Sequence, residues 1–327
     1  MNSKTELPLI KPVYSATHGQ GTVTSILHSN PSIINWYLNN VMVLSVSNND
    51  FGENFQPHVD ICQSGIEDNP YIERQKILLT FLDGSVNRII RNMINKGYYV
   101  YFGAIDDYYM QDKSGYHKDH FMHDGMICGY DQNNKTYSVY AYDSEMQYRI
   151  FRLPQICFER ARKSTEKMGA CGFITAMKPM QVKIDFDPYI IKTRLQEYLD
   201  PPLINNNLEV NSTAYGIITH KYLIKYLDII LNDNYNITLE DLKSFKMIME
   251  HKTLMFERIK KIEAYFQMDN TVSSGYKNIV TDAEKLWNMC LYSFAKTNKS
   301  KLPTMKLILE RIDNYENKLL SPLISLY

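Results

Sequence analysis

Cysteine is scarce in this chain of 327 residues, which contains only five. Small secreted domains that depend on disulfides carry many more cysteines, in an even-numbered framework. The count is both low and odd, and this excludes a disulfide scaffold as the basis of the fold. The cysteines are therefore predicted to be reduced, in a cytoplasmic protein.

Long apolar runs and an excess of charge of one sign are also missing. No segment approaches the roughly 20 apolar residues that span a bilayer, and residues 1–12 lack the apolar region of a signal peptide. Lys plus Arg and Asp plus Glu each total 36, so the formal net charge is zero. Proteins that bind nucleic acids usually carry a basic surplus. The composition thus predicts a protein that binds neither nucleic acids nor membranes.

The first half of the chain mixes helix and strand patterns. A buried helix is predicted to begin near Thr22–Leu27. Residues 72–95 carry apolar side chains at helical spacing, which predicts a helix that is kinked or split at Asp83-Gly84 and ends at Gly97.

Five segments rich in aromatic and β-branched residues predict strands. They are residues 98–105, 125–130, 137–142, 148–153 and 172–177. Polar residues at 131–135 predict a hairpin turn between the second and third segments. Because helices precede a mostly antiparallel sheet, the pattern indicates an α+β fold.

Almost every pattern beyond residue 200 is helical. Thr238 begins a variant capping box, Thr281 is predicted to cap a second helix, and Pro303 lies near a third helix start. Pro201-Pro202 and residues 205–207 are typical of a linker. We therefore expect an α+β domain over residues 1–198 and a helical bundle over residues 199–327.

The densest polar cluster spans residues 117–124 and contains three histidines at three-residue spacing. His117, His120 and His123 could bind zinc, although this spacing does not distinguish a zinc site from a solvated loop. A third interpretation uses His123 alone. If the strands after it form a hairpin, Asp143 approaches His123 and fixes its tautomer, which leaves the second nitrogen as a general base.

Residues 123–131, together with residues 139–143, resemble the His and Asp segments of papain-like cysteine peptidases. The resemblance is greatest to the branch named after the N-terminal domain of the butirosin acyltransferase, which includes amide synthases of thiotemplated natural-product biosynthesis such as the closthioamide synthase. It covers roughly residues 12–180. It implies a papain-like fold, with an N-terminal helix packed on an antiparallel sheet, and a Cys-His-Asp mechanism. In that mechanism an acyl group passes from a carrier-protein thioester to an amine without any metal or organic cofactor.

The family places its nucleophilic cysteine at the start of the first helix, where the helix dipole favours the thiolate. The matching position in this chain is Gly21, or less closely Gly19, and Gln20 beside it is a candidate oxyanion donor. Three explanations remain open: an inactivating replacement of the cysteine, a natural homologue without acyl-enzyme chemistry, or a nucleophile elsewhere.

Cys62 precedes His123 in the chain and is one alternative nucleophile, and Thr22 and Ser25 are others. The remaining cysteines are predicted to be structural. Residues 106–109 follow a strand and either line the substrate cleft, with Asp106 and Tyr108 as the leading candidates, or form a polar loop.

The functional expectation is an amide-forming acyltransferase in which His123 is the base and Asp143 orients it. Its partners are then a carrier protein bearing a thioester and an amine substrate. A peptidase of the same fold and a non-catalytic module that binds carrier proteins are the alternatives. Five basic residues of the C-terminal helices either form a face that docks an acidic carrier protein or are simply solvated. They are Lys246, Lys252, Arg258, Lys260 and Lys261.

Overall fold

The computed structural model describes residues 3–48, 56–63, 65, 67–82, 86–145, 147–201, 213–232 and 236–325. The chain divides into two compact units. Unit 1 comprises residues 1–33 and 65–183, and unit 2 comprises residues 34–64 and 184–327. The predicted domain boundary after residue 198 falls within unit 2. Most of the predicted linker, from residue 202 onward, lies outside the described residues.

The described residues form ten strands, numbered in chain order. They are β1 Lys4–Glu6, β2 Leu44–Asn48, β3 Pro57–Ile61, β4 Ile72–Leu78, β5 Tyr99–Asp106, β6 Met122–Asp131, β7 Thr136–Tyr142, β8 Tyr148–Pro154, β9 Phe173–Pro179 and β10 Thr213–Tyr215. Seven of them build the sheet of unit 1, in the order β4-β9-β5-β6-β7-β8 with β1 paired to β6. Every pairing in this sheet is antiparallel.

Nine α-helices accompany these strands in the described ranges. They are α1 His18–Ser25, α2 Ile34–Asn40, α3 Val86–Asn95, α4 Gln155–Lys167, α5 Pro188–Leu199, α6 Thr219–Asn232, α7 Leu239–Tyr265, α8 Thr271–Lys296 and α9 Leu302–Ile324. The predicted α+β class, with a helical C-terminal region, is confirmed.

One face of the unit 1 sheet carries its apolar core. Phe102, Ile127 and Val139 pack there with Ile90 of α3 and Phe158 of α4. Since successive side chains of a strand point to opposite faces, residues next to these core positions point to the other face. That second face receives α1, which contacts β6 and β7.

The predicted strands are confirmed, and so is the turn between β6 and β7, where Asp131 pairs with Thr136. The predicted helix over residues 72–95 is wrong in its first half. Residues 72–78 form β4, whose seven residues all pair with β9, while the second half is α3. Ladder hydrogen bonds to β9 override the helical spacing of the apolar side chains here. Asp83-Gly84 lies outside the described residues.

Unit 2 combines a three-stranded antiparallel sheet, β10-β2-β3, with helices α2 and α5–α9. The capping box at Thr238 is confirmed at the start of α7, and Pro303 lies in the first turn of α9. The helix start expected at Thr281 is wrong, because α8 begins at Thr271 and Thr281 lies inside it.

The basic residues of α7 do not form a continuous exposed face. Lys252 and Arg258 are fully buried, and Arg258 donates hydrogen bonds to the carbonyl oxygens of Tyr37, Leu38 and Val41. Among the helices of the described part of the chain, none combines the length and the apolar character that crossing a bilayer requires.

Candidate functional site

The first residue of α1, His18, is the centre of a buried polar cluster in unit 1. Thr17 caps this helix by accepting a hydrogen bond from the Gln20 amide, and only 6% of His18 is exposed. His18 Nδ1 is hydrogen-bonded to Asp124 of β6, and its Nε2 accepts a hydrogen bond from the Tyr142 amide at 3.1 Å. Because Nε2 is an acceptor, Nδ1 carries the proton, and both nitrogens of the ring are engaged.

The two members of this pair titrate well away from neutral pH. Burial lowers the pKa of His18 to about 4, against the opposing effect of the Asp124 hydrogen bond and charge. Burial alone would raise the pKa of Asp124, but hydrogen bonds from His18 and Tyr101 lower it to about 2. At neutral pH a neutral imidazole therefore donates to an ionised carboxylate. With both ring nitrogens occupied, His18 is a structural group rather than a free base.

A partly exposed imidazole belongs to His123, at the start of β6. Its Nδ1 is hydrogen-bonded to Asp107 Oδ2 at 2.8 Å, while its Nε2 has no hydrogen-bond partner among the described residues. The side chain of His123 is 34% exposed, whereas that of Asp107 is 2% exposed. A buried carboxylate thus fixes the orientation of a half-exposed imidazole, and we call His123 with Asp107 the His123 dyad.

The expected pairing of His123 with Asp143 is corrected by this geometry. Asp143 instead accepts hydrogen bonds from the amides of Glu145 and Gln147 and forms an ion pair with Arg149. These contacts lower the pKa of Asp143, although burial opposes them. Asp143 therefore holds the turn before β8, and the carboxylate that contacts His123 is that of Asp107.

A second imidazole is held in the same manner close by. His120 Nδ1 lies 2.8 Å from Asp106 Oδ2, and we call these two residues the His120 dyad. The Tyr108 ring stacks on His120 with ring centroids 4.4 Å apart. Asp106 and Tyr108, the two predicted cleft residues, thus contact the same histidine.

Lys113 adds a buried cation to the cluster. The residue is 3% exposed, and its Nζ has no hydrogen-bond partner in the part of the chain that the structure describes. Burial lowers its pKa, while the charges of Asp107, Asp124 and Asp143 raise it. The Lys113 ammonium therefore offsets part of the negative charge of these three carboxylates.

Sequence reasoning missed Tyr101 and Lys113. It offers a signal for each of the two other residues: His18 begins the segment 18–27 that matches the first helix, and Asp107 lies among residues 106–109, which follow a predicted strand and are cleft candidates. Neither signal indicates which histidine each carboxylate contacts, because these partners are 14 to 106 residues apart.

The expected nucleophile position, Gly21, is covered by a tyrosine. A Cβ atom at Gly21 would lie 2.6 Å from Tyr148 Cε1 and 2.9 Å from its hydroxyl oxygen. The Tyr148 hydroxyl contacts Thr22 Oγ1 and donates to the His18 carbonyl, both at 3.2 Å. The tyrosine therefore occupies the space that a cysteine side chain at position 21 would need.

The other proposed nucleophiles are engaged or lie elsewhere. Ser25 donates to the Thr22 carbonyl at 2.9 Å, and Gln20, the candidate oxyanion donor, is buried in α1. None of the three unit 1 cysteines hydrogen-bonds to a histidine; burial raises the pKa of Cys128 to about 12. Cys62 lines a cleft of 300 Å³ in unit 2, together with the Arg194–Glu197 ion pair.

His18, His123 and Asp124 are the described residues whose ligand atoms come close enough to hold a metal ion, all within 4.8 Å of one another. The predicted zinc alternative shares only His123 with this group. His18 cannot act as a neutral ligand in this arrangement, since Nδ1 carries a proton and Nε2 accepts the Tyr142 amide. The Lys113 ammonium also opposes a second cation. The residues present therefore fit acid–base chemistry better than metal binding.

Comparison of the chain with protein-family models and with curated proteins finds no match.

Proposed function

We propose that this protein is an amide-forming acyltransferase that moves an acyl group from a carrier-protein thioester to an amine, with His123 as general base. One observation carries the proposal: a buried Asp107 holds Nδ1 of His123 at 2.8 Å and leaves Nε2 available on a partly exposed ring. The α1 helix on an antiparallel sheet supports the papain-like part of the proposal.

The chemistry proceeds without an acyl-enzyme, because Gly21 offers no nucleophile. The amine nitrogen attacks the thioester carbonyl carbon, and Nε2 of His123 takes the proton that the nitrogen must lose. The tetrahedral intermediate then collapses, the C–S bond breaks, and the carrier thiol leaves as the amide forms. Asp107 keeps the imidazole in the tautomer that accepts this proton and stabilises the imidazolium that results.

The test uses the full chain with an acyl N-acetylcysteamine thioester, which mimics the carrier arm, and a panel of primary amines. Amide is measured by mass spectrometry, and released thiol by a colour reagent. His123→Gln is expected to lower the rate about 10²–10⁴-fold, the usual contribution of a general base, and Asp107→Asn somewhat less. His58→Gln is the matched control, because His58 is a partly buried histidine of β3 in unit 2 and belongs to neither dyad. Unchanged amide formation by His123→Gln would refute the proposal.

Intact mass during turnover separates direct transfer from a covalent route. We expect no acyl adduct on the wild-type chain or on Gly21→Cys, since Tyr148 fills the space at position 21. A stable adduct on Gly21→Cys that passes to the amine would restore the cysteine mechanism. Release of free acid in place of amide would favour the hydrolytic chemistry of the peptidase alternative.

A non-catalytic module that binds a carrier-bound chain is the second candidate. The observation that favours it is that Tyr148 fills the space at Gly21, the position where the family carries its nucleophile. The antiparallel sheet beside this position is nevertheless intact. This candidate predicts that an acylated carrier protein binds wild type and His123→Gln equally and that neither forms amide. Turnover that depends on His123 would exclude it.

A further inference from the structure

The reaction proposed above assigns no role to the His120 dyad. The Asp106 side chain is fully buried, and it accepts from the Tyr108 amide at 3.1 Å as well as bonding His120. Burying a carboxylate is costly unless it is paired and hydrogen-bonded. An exposed histidine on a solvated loop has no need of such a partner.

Two contacts orient the His120 ring and leave its outer nitrogen open. Asp106 fixes Nδ1, and the Tyr108 ring lies almost parallel to the imidazole, at an interplanar angle of 17°. The His120 side chain is 51% exposed, and its Nε2 has no hydrogen-bond partner within the described ranges. The outer nitrogen of this imidazole is therefore held at a fixed position on a ring that is half exposed to solvent.

Both dyads share one end of one strand pair. Asp106 ends β5 and pairs with Met122 in the ladder, and the Asp107 amide donates to the Phe121 carbonyl at 2.9 Å. The carboxylates are consecutive in the chain and the histidines are three residues apart, so the histidine α-carbons lie within about 10 Å of each other.

We propose that His120, oriented by Asp106 and Tyr108, is the general acid of the acyl transfer and protonates the departing thiol. This inference rests on the proposed function. As the C–S bond breaks, its electron pair stays on sulfur, which takes the proton from Nε2 of the His120 imidazolium. His123 holds the proton that came from the amine, and solvent restores the proton of His120.

Variation of the leaving group tests this role. The substrates are the thioesters of one acyl group with N-acetylcysteamine and with 4-nitrothiophenol, whose anion leaves without protonation. His120→Gln should slow amide formation about 10²-fold with the first thioester and less than about 3-fold with the second. His123→Gln should slow both alike. Asp106→Asn should also slow amide formation more with the first thioester than with the second, by a smaller factor than His120→Gln.

The outcomes separate the two proposals, with His58→Gln as the control that should match wild type on both substrates. An equal effect of His120→Gln on both thioesters, or no effect, would overturn the role of His120 while leaving that of His123 intact. Loss of the His123→Gln effect, or absence of wild-type turnover, would overturn both. Because His120 is half exposed, His120→Asn is a second variant expected to fold, and it must show the same dependence.

Discussion

Gly21 and Tyr148 are a matched pair at the scale of single residues. A helix interior ordinarily disfavours glycine relative to alanine by about 1 kcal/mol, yet any side chain here would overlap the Tyr148 ring. The glycine therefore belongs to the packing of this chain and has a reason to be present beyond the loss of a nucleophile.

Gly21→Ala should lower the free energy of unfolding by about 1–3 kcal/mol, the usual cost of overpacking. In a Tyr148→Ala background the same change should become neutral or stabilising, since the obstructing ring is gone. Urea denaturation of the four proteins gives the coupling between the two positions. Equal costs in both backgrounds would show that the two residues do not compete for one space.

The His18–Asp124 pair predicts how stability depends on pH. The unfolded chain protonates His18 below its ordinary pKa of 6.5, whereas the folded chain does so only near 4. The stabilisation is therefore complete above pH 6.5 and is lost as the pH falls towards 4, by about 3 kcal/mol. The pKa of Asp124 is lowered from 3.8 to about 2, so the stability that this carboxylate contributes is lost at lower pH, as the pH falls through that range.

Urea denaturation at pH 7, 5 and 4 checks this expectation. His18→Gln removes the titrating group, so its free energy of unfolding should fall less steeply over this range than that of wild type. Buried histidines of unit 2 titrate in both proteins and cancel in the difference. Parallel pH profiles would mean that His18 is not held neutral in the fold.

At the scale of elements, the start of α7 is specified by its own sequence. The Thr238 side chain accepts from the Asp241 amide, and Asp241 in turn accepts from the Thr238 amide. Thr238→Ala should therefore cost about 1 kcal/mol of unfolding free energy. Asn270, at the N-cap of α8, makes no such bond, so Asn270→Ala should change stability by only a few tenths. A similar cost for both would argue against the capping box.

Strand β4 shows the opposite case, in which an element depends on its neighbour. Its apolar residues Ile72 and Ile77 suit a helix as well as a strand, and its other positions are mostly polar and exposed. What settles the conformation is the complete antiparallel register with β9, roughly a hundred residues later. Local spacing carries no information about such a partner.

At the scale of the whole molecule, unit 2 is organised around a buried ionic network. Lys252 of α7 lies 2.7 Å from Glu316 of α9, and Tyr198 and Tyr276, from α5 and α8, both donate to that carboxylate. All four side chains are fully buried. One network thus joins four helices.

Lys252→Met should destabilise the protein by about 3–5 kcal/mol, because it leaves the Glu316 charge buried without its cation. Lys252→Met combined with Glu316→Gln should recover much of this loss, since no buried charge then remains unpaired. The helical circular dichroism signal during urea denaturation is the measurement. A double variant as unstable as the sum of the single variants would show that the pair is not coupled.

The sequence by itself determined the α+β class, the five predicted strands, the β6–β7 turn, and the starts of α7 and α9. It also singled out residues 117–124, where the structure places His120 and His123 against buried carboxylates. These features depend on periodicity, turn residues and capping residues, which act over a few positions and can be read locally.

Only the tertiary structure decided that Asp107 rather than Asp143 holds His123, that Asp106 holds His120, that His18 is buried on Asp124, and that Tyr148 covers Gly21. The pairing of β4 and the burial of Lys252 were decided in the same way. The physical reason is that a hydrogen-bond partner or a filled space is set by which strands and helices meet. Strand register and packing choose among several chemically equivalent carboxylates, and no local pattern distinguishes these.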